Sequence, residues 1–487
     1  MSEKNSKSLD PDDWTHIRAE GHRMLDDMMD FLENLRSRPV WQPIPDAVRQ
    51  AVREPLPAQG VEIAQVHRTF MESVLPYASG NAHPAFMGWV QGGGTPAGML
   101  AELLAAGLNS NVGGRDQMPV EVERQVVRWM AELFGFPAEA SGVFVTGTSM
   151  ANLIAVWVAR TRALGVSVRE YGMAASGAAR LVAYTSEGAH GCVAQAIDLA
   201  GLGRAALRLV PVNERFEMDV AALEAAIQAD LAAGLRPFFV AATAGTVDTG
   251  AVDDLAAIGA VARRHGAWFH IDGAFGALAM LSPELAPRLA GIELADSIAF
   301  DFHKWAQVQY DAGFVLMRDG AVHRSAFEAP VAYLRRDERG LSAGSYWPCD
   351  FGPDLSRGFR ALKAWFTIKV YGSERLGETI AETCAIARYL EQQVRARPQL
   401  EMLAPVSLNI VCFRYRSDDP DAFNAALVAD LQESGVAVPS LTTVNGQLAI
   451  RVAVVNHRTS RADMDKMLAK LESLAAVRIA PAGGGKR

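Results

Sequence analysis

Lys304 stands in the run Asp301-Phe302-His303-Lys304-Trp305, directly after the apolar stretch DSIAF (296–300). A lysine among aromatic residues at a strand end is not needed for packing, because lysine is almost never fully buried without a partner. A desolvated lysine can form a Schiff base with an aldehyde. The plainer alternative is a surface lysine beside a buried tryptophan. Asp272 closes the stretch AWFHID before the small-residue turn Gly273-Ala274, His190 follows TSEGA, and Thr246 closes ATAGT. Gly147-Thr148-Ser149-Met150-Ala151 follows GVFVT and opens a helical pattern. That position suits three roles: a nucleophile elbow at Ser149, with Ala151 in place of the last glycine; an anion site of helix-start N–H groups and the Thr148 and Ser149 hydroxyls; or a plain N-cap.

Other motifs carry less. Gly201-Leu202-Gly203 follows a helix and precedes a strand, the reverse of a dinucleotide fingerprint, and reads as a helix-ending turn. His265, His270 and Asp272 lack a third ligand at metal spacing. Cys192, Cys349, Cys384 and Cys412 form no CxxC pair, so neither a disulfide framework nor a structural zinc site is expected.

The elements that must position these residues follow from patterning. The 487 residues are 50% hydrophobic and 21% charged, which excludes a disordered chain or a small stapled scaffold and predicts more than one domain. Lys plus Arg number 47 against 55 Asp plus Glu, a net charge of −8 that argues against a nucleic-acid partner. The polar, acidic start and the lack of an apolar run of roughly 18 residues predict no membrane association and a cytoplasmic protein. The runs GVFVT, RLVAYT, ALRLVPV, PFFVAAT, AWFHID, DSIAF and GFVLMR alternate with Ala-rich helical stretches between about Thr95 and Arg318. This alternation predicts an α/β domain whose mainly parallel sheet is covered by helices, with sites at the carboxyl ends of strands. The expected division is an N-terminal helical and extended arm (1–95), a large domain (96–355) and a small C-terminal α+β domain (356–487) ending in a frayed PAGGGKR tail.

Four strand ends thus present Ser149, His190, Asp272 and Lys304 to one crevice. A phosphate cradle, a flat group to stack on a ring, a carboxylate for a pyridinium nitrogen and an amine for an aldehyde are the parts that bound pyridoxal 5′-phosphate requires. The chain resembles the pyridoxal-phosphate-dependent group II amino-acid decarboxylases, in particular their aromatic-L-amino-acid branch. The likeness runs from DDMMDFLENLRSRPV through NAHPAFMGW, TGTSMANLIA, TSEGAHGCVAQA, ATAGTVDTGAVDDL, WFHIDGAFG and DFHKW to SRGFRALKAWFTIKVYG.

The resemblance implies a fold-type-I homodimer with the N-terminal arm on the partner subunit and the active site at the interface. It implies that Lys304 is the Schiff-base lysine, Asp272 the partner of the pyridinium nitrogen and His190 the stacked imidazole. Thr148, Ser149 and His303 would surround the phosphate, and Thr246 and Ala274 would be further cofactor contacts. The reaction implied is loss of CO2 from an L-amino acid, with reprotonation by a loop tyrosine of the neighbouring subunit, for which Tyr346 is the candidate beside His190. Trp89 and Phe275 would line an aromatic side-chain pocket, and Arg451 would orient the substrate carboxylate or form a structural salt bridge. Asn109, Asn111, Gly113 and Gly114 stand where aromatic-specific members carry bulkier residues, which predicts a more open or polar pocket, with Arg115 available to a second carboxylate. The alternatives are an aldehyde synthase, an acidic-amino-acid decarboxylase and, from another class, a serine hydrolase using Ser149.

Overall fold

The computed structural model describes residues 8–174, 177–328, 336–344 and 346–479. The PAGGGKR tail and residues 329–335 of the loop before Pro353 lie outside them. Numbered in chain order, the strands are β1 (Phe86–Met87), β2 (Ser141–Val145), β3 (Leu181–Ser186), β4 (Leu207–Val210), β5 (Arg236–Thr243), β6 (Trp268–Asp272), β7 (Ser297–Asp301), β8 (Gly313–Met317), β9 (Leu400–Met402), β10 (Ile410–Tyr415), β11 (Val438–Val444) and β12 (Gln447–Ala453).

The seven β-branched and apolar runs are the seven strands of one sheet, in the order β2-β8-β7-β6-β5-β3-β4. Neighbours from β7 through to β4 are parallel, whereas β8 is antiparallel to both β7 and β2. The strands read as continuous apolar runs because both faces are covered. On β5, Phe239 and Ala241 join one core while Val240 and Ala242 join the other, as the two-residue period of a strand dictates. The helix Thr148–Leu164 covers the first face with Ala151, Ile154, Ala155 and Val158, which share one helical stripe. The helix Met118–Leu133 covers the other with Val126 and Met130.

The long helix Arg360–Arg395 breaks at Gly372, whose φ of 74° and ψ of 159° a side-chain-bearing residue rarely adopts. It leads to a second sheet ordered β1-β11-β12-β10-β9. Patterning finds β10 and β12 here but misses β9 and β11, whose Val-Pro-Ser opening lacks an apolar run. The N-terminal segment is partly integral to this sheet, because β1 pairs parallel with β11 and Val40, Ala85, Phe86 and Met87 pack with Met464 and Leu468. Its outlying part leaves Trp14 and Leu56 exposed. Among the described residues no helix is long and apolar enough to cross a membrane.

Candidate active site

Register places the chemistry. Gly313 of β8 pairs with both Val145 of β2 and Asp301 of β7, and Asp272 of β6 pairs with Thr243 of β5. The carboxyl ends of β2, β5, β6 and β7 therefore share one edge. A cleft of about 380 Å³ opens there, lined among others by Trp89, Thr148, Ser149, His190, Asp272, Ala274, Phe275, His303, Lys304 and Tyr310. Gly92 admits the chain that carries Trp89 across this edge: a Cβ there would lie 2.4 Å from the Lys304 carbonyl oxygen.

Asp301, the last residue of β7, organises the cleft floor. Its Oδ1 accepts the Thr148 N–H (2.8 Å) and caps the helix start, while Oδ2 lies 2.9 Å from Lys304 Nζ. His303 Nδ1 accepts the Ala312 N–H (2.9 Å), and burial pulls its pKa below the ordinary histidine value. The Tyr310 ring lies over His303 with centroids 4.2 Å apart, and burial raises the pKa of its hydroxyl. His190 is the N-cap of the helix Gly191–Leu199, where its Nδ1 accepts the Cys192 N–H (3.1 Å) and fixes the ring at the cleft mouth. Asp272 is buried, with Oδ1 accepting the Ala274 N–H (3.1 Å) and Oδ2 accepting Asn152 Nδ2–H (3.0 Å). The Thr148 hydroxyl is buried on the cleft wall with no hydrogen-bond partner among the described residues.

Not every expected residue reaches the cleft. Thr246 lies just outside its lining, since its hydroxyl is engaged by Thr249 (3.0 Å) and the Ala251 N–H (3.0 Å) in its own turn, while the flanking Gly245 and Val247 line the wall. Arg451 is buried outside the cleft lining: Nη1 donates to Ser440 Oγ (3.1 Å), which also accepts the Trp89 N–H (3.4 Å), Nε and Nη2 have no partner among the described residues, and burial lowers its pKa. Tyr346 is outside the lining, with its ring under the Arg324 guanidinium at 3.6 Å. The expected opening at Gly113 and Gly114 is corrected. A Cβ on Gly113 would meet the Leu355 carbonyl oxygen at 2.0 Å and one on Gly114 the Trp347 ring at 2.5 Å, so both glycines admit close neighbours. Asn111 Oδ1 accepts the N–H groups of Gly113 and Arg357, and the Arg115 guanidinium stacks on Trp347 at 4.7 Å. Asp301 and Tyr310 are site residues given no role by the sequence reading. Their signal was proximity to Lys304 in DFHKWAQVQYD.

Residues 45–416 match the pyridoxal-dependent decarboxylase conserved domain. An aromatic-L-amino-acid decarboxylase of Bacillus atrophaeus is 30% identical, with 94% of this chain and 95% of that protein aligned. A histidine decarboxylase of Drosophila melanogaster is 32% identical over 95% of this chain but 56% of its own length. A phenylacetaldehyde synthase of Arabidopsis thaliana is 28% identical, covering 93% and 94%. Among solved structures, Oryza sativa TDC with PLP and tryptamine superposes with a TM-score of 0.89 at 27% identity, covering 97% of this chain and all of the other.

Proposed function

Because the chain belongs to the pyridoxal-dependent decarboxylases, we propose that it decarboxylates an L-amino acid with a flat ring side chain, releasing the amine and CO2. One observation carries the site assignment: Lys304 Nζ, Asp272, His190 and the unpartnered Thr148 hydroxyl converge on one cleft at the carboxyl edge of the large sheet. These residues fit pyridoxal 5′-phosphate. Lys304 supplies the amine for its aldehyde, Asp272 the carboxylate for its ring nitrogen and His190 a flat ring to lie against it. Thr148, Ser149 and His303 supply a phosphate cradle, and Ala274 adds a further cofactor contact. When bound, the cofactor withdraws the electron pair left at the α-carbon as CO2 departs.

The protein's own groups do the rest. Asp301, 2.9 Å from Lys304 Nζ, would hold that side chain in the cleft before the cofactor binds and after substrate displaces it. Reprotonation needs an acid that keeps its proton at neutral pH, and the Tyr310 hydroxyl, whose pKa is raised, meets that need from the cleft wall. We assign proton handling to Tyr310 and His190, with Tyr346 acting only if it enters a neighbouring subunit's cleft. Trp89, Phe275 and Tyr310 present ring faces and edges to a flat side chain, and Arg451 offers two unpartnered N–H groups to a carboxylate beyond Trp89. An acidic side chain gains nothing from Arg115 within the same chain, since that cation is stacked on Trp347. The serine-hydrolase alternative gives Lys304 no role and does not suit this family.

We further propose the division 1–95, 96–355 and 356–487 and a homodimer in the cytoplasm. Exposed Leu103, Leu104 and Leu108 on the helix Pro96–Leu108 and exposed Trp14 and Leu56 support the dimer, and the free cysteines suit a reducing compartment. The test is to incubate the cofactor-loaded protein with a panel of L-amino acids and score amine and aldehyde by mass spectrometry. Amine from tyrosine, tryptophan, phenylalanine or histidine supports the reading. Aldehyde with hydrogen peroxide converts it to a synthase, and turnover of acidic substrates alone overturns the pocket assignment.

A further inference from the structure

His270, which as a metal ligand lacks companions, belongs to a buried polar chain. Trp268, His270 and Asp272 alternate along β6 and so project to one face of the sheet, the face covered by the helix that carries Asn152. Trp268 Nε1 lies 2.7 Å from Ser297 Oγ, Ser297 Oγ 2.8 Å from His270 Nδ1, His270 Nε2 2.8 Å from Asn152 Oδ1, and Asn152 Nδ2 3.0 Å from Asp272 Oδ2. All five residues are at most 3% exposed.

One end of this chain fixes its direction and the other is compatible with it. An indole N–H can only donate, so Ser297 Oγ accepts from Trp268 and can still donate its own hydrogen to His270 Nδ1. An ionised carboxylate can only accept, so the Asn152 atom facing Asp272 is the amide nitrogen and the one facing His270 the oxygen. His270 Nε2 must then carry a hydrogen. The carboxylate end therefore selects the Nε2–H tautomer, and the indole end accommodates it. Burial supports the neutral form by pulling the His270 pKa down to about 3, and the Phe239 ring stacked at 5.3 Å leaves the imidazole little room to turn. The other Asn152 amide hydrogen points to Cys192 Sγ at 3.1 Å, so the amide is fully used.

We propose that Trp268, Ser297, His270 and Asn152 are positioning residues that hold Asp272 ionised and in fixed orientation toward the cofactor ring nitrogen. The proposal rests on the assignment of Asp272 made above. A chain of neutral dipoles all pointing their hydrogens toward one buried carboxylate stabilises its charge without placing a second formal charge in the core. The Cys192 thiol adds a further neutral donor, 3.6 Å from Asp272 Oδ2.

The direct test is 15N NMR of the histidine-labelled wild-type protein, with His270→Gln identifying the signal. A neutral Nε2–H tautomer that persists from pH 6 to pH 8 supports the chain. An imidazolium or an Nδ1–H tautomer overturns it. The second test titrates pyridoxal 5′-phosphate by visible absorbance into wild type, His270→Gln and Ser297→Ala. Weakening of about 10-fold or more in His270→Gln and a few-fold in Ser297→Ala, with a shifted absorption maximum and unchanged far-ultraviolet circular dichroism, is expected. Wild-type affinity and spectrum in a His270→Gln protein that merely melts earlier would make His270 a core residue and overturn the proposal. If that variant does not fold, Ser297→Ala and the tautomer decide. Asp272→Asn separates the two levels: unchanged cofactor uptake and spectrum there break the underlying site reading, whereas an unchanged His270→Gln alone breaks only the chain.

Discussion

The floor of the cleft and the segment that carries Tyr346 and Trp347 are built by different means. On the floor, Asp272, Asp301, His303 and Asn152 come from strand ends or a helix fixed to the sheet, and their polar atoms are committed to named partners at 2.8–3.1 Å. In the segment, which lies outside the cleft lining, Arg324 and Arg336 lie over the half-exposed Tyr346, and Arg115 and Arg336 lie over the buried Trp347. Backbone register holds the first region to within a hydrogen bond, whereas stacked cations tolerate sliding. A fixed floor suits a reaction shared across a family.

The sharpest way to break this contrast is Lys304→Ala. It should abolish both turnover and the borohydride-reducible cofactor adduct, as read by intact-mass spectrometry, while leaving the fold intact by circular dichroism. A persistent adduct elsewhere would show that the floor had been misread.

The next largest effect concerns the joint between the two regions. Arg357 and Glu123 form a buried ion pair, with Nη2–Oε1 at 2.6 Å and Nη1–Oε2 at 3.1 Å. The same guanidinium donates to the carbonyls of Val112 and Phe144. It thereby ties the loop of Asn111 and the segment before the long helix to β2. Arg357→Met leaves Glu123 buried and unpaired and should destabilise by about 3–5 kcal/mol, measured by urea unfolding. Replacing both partners with apolar residues should cost much less, and equal losses in the single and double variants would deny the pair its role as a joint.

Within the reaction, Tyr310→Phe and Tyr346→Phe compare a cleft-lining tyrosine with one outside the lining, at the cost of one oxygen each. If proton return is made from within the cleft, Tyr310→Phe should lower kcat on the order of 100-fold and Tyr346→Phe only a few-fold. The reverse order would move the acid to Tyr346 and imply that it enters a neighbouring subunit's cleft.

The floor was also the more legible region in the sequence. The apolar runs that form β2 to β8 name the strands, and strand-helix alternation places Ser149, His190, Asp272 and Lys304 at one edge without coordinates. What periodicity does not carry is the partner across a gap. Nothing in SRGFR announces that Arg357 meets Glu123, separated by 234 positions, and nothing at His270 announces Asn152. Gly113 and Gly114 misled because a glycine in sequence reads as space, whereas here the Leu355 carbonyl and the Trp347 ring already occupy that space. Tyr346 and Arg451 show a different gap: their types suit the chemistry, but neither lines the cleft of its own chain, and only packing decides whether a side chain reaches a cleft.

The smallest effect expected is a pH dependence of stability that is independent of the reaction. Burial pulls His270 and His323 down to about 3 and His457 to about 4, far below the value of about 6.5 that an unfolded chain restores. Between those limits the unfolded chain binds protons that the folded one refuses, so their contribution is fully present above pH 6.5 and declines as pH falls toward 3 or 4. The melting temperature should therefore drop progressively below pH 6.5. His323 is the residue with which to isolate the effect, because it is buried away from the cleft, its Nδ1 paired with Ser141 Oγ at 2.8 Å. His323→Gln should flatten the slope while leaving cofactor affinity unchanged. An unaltered slope would exclude His323 as a source of the acid sensitivity and leave it to His270 and His457.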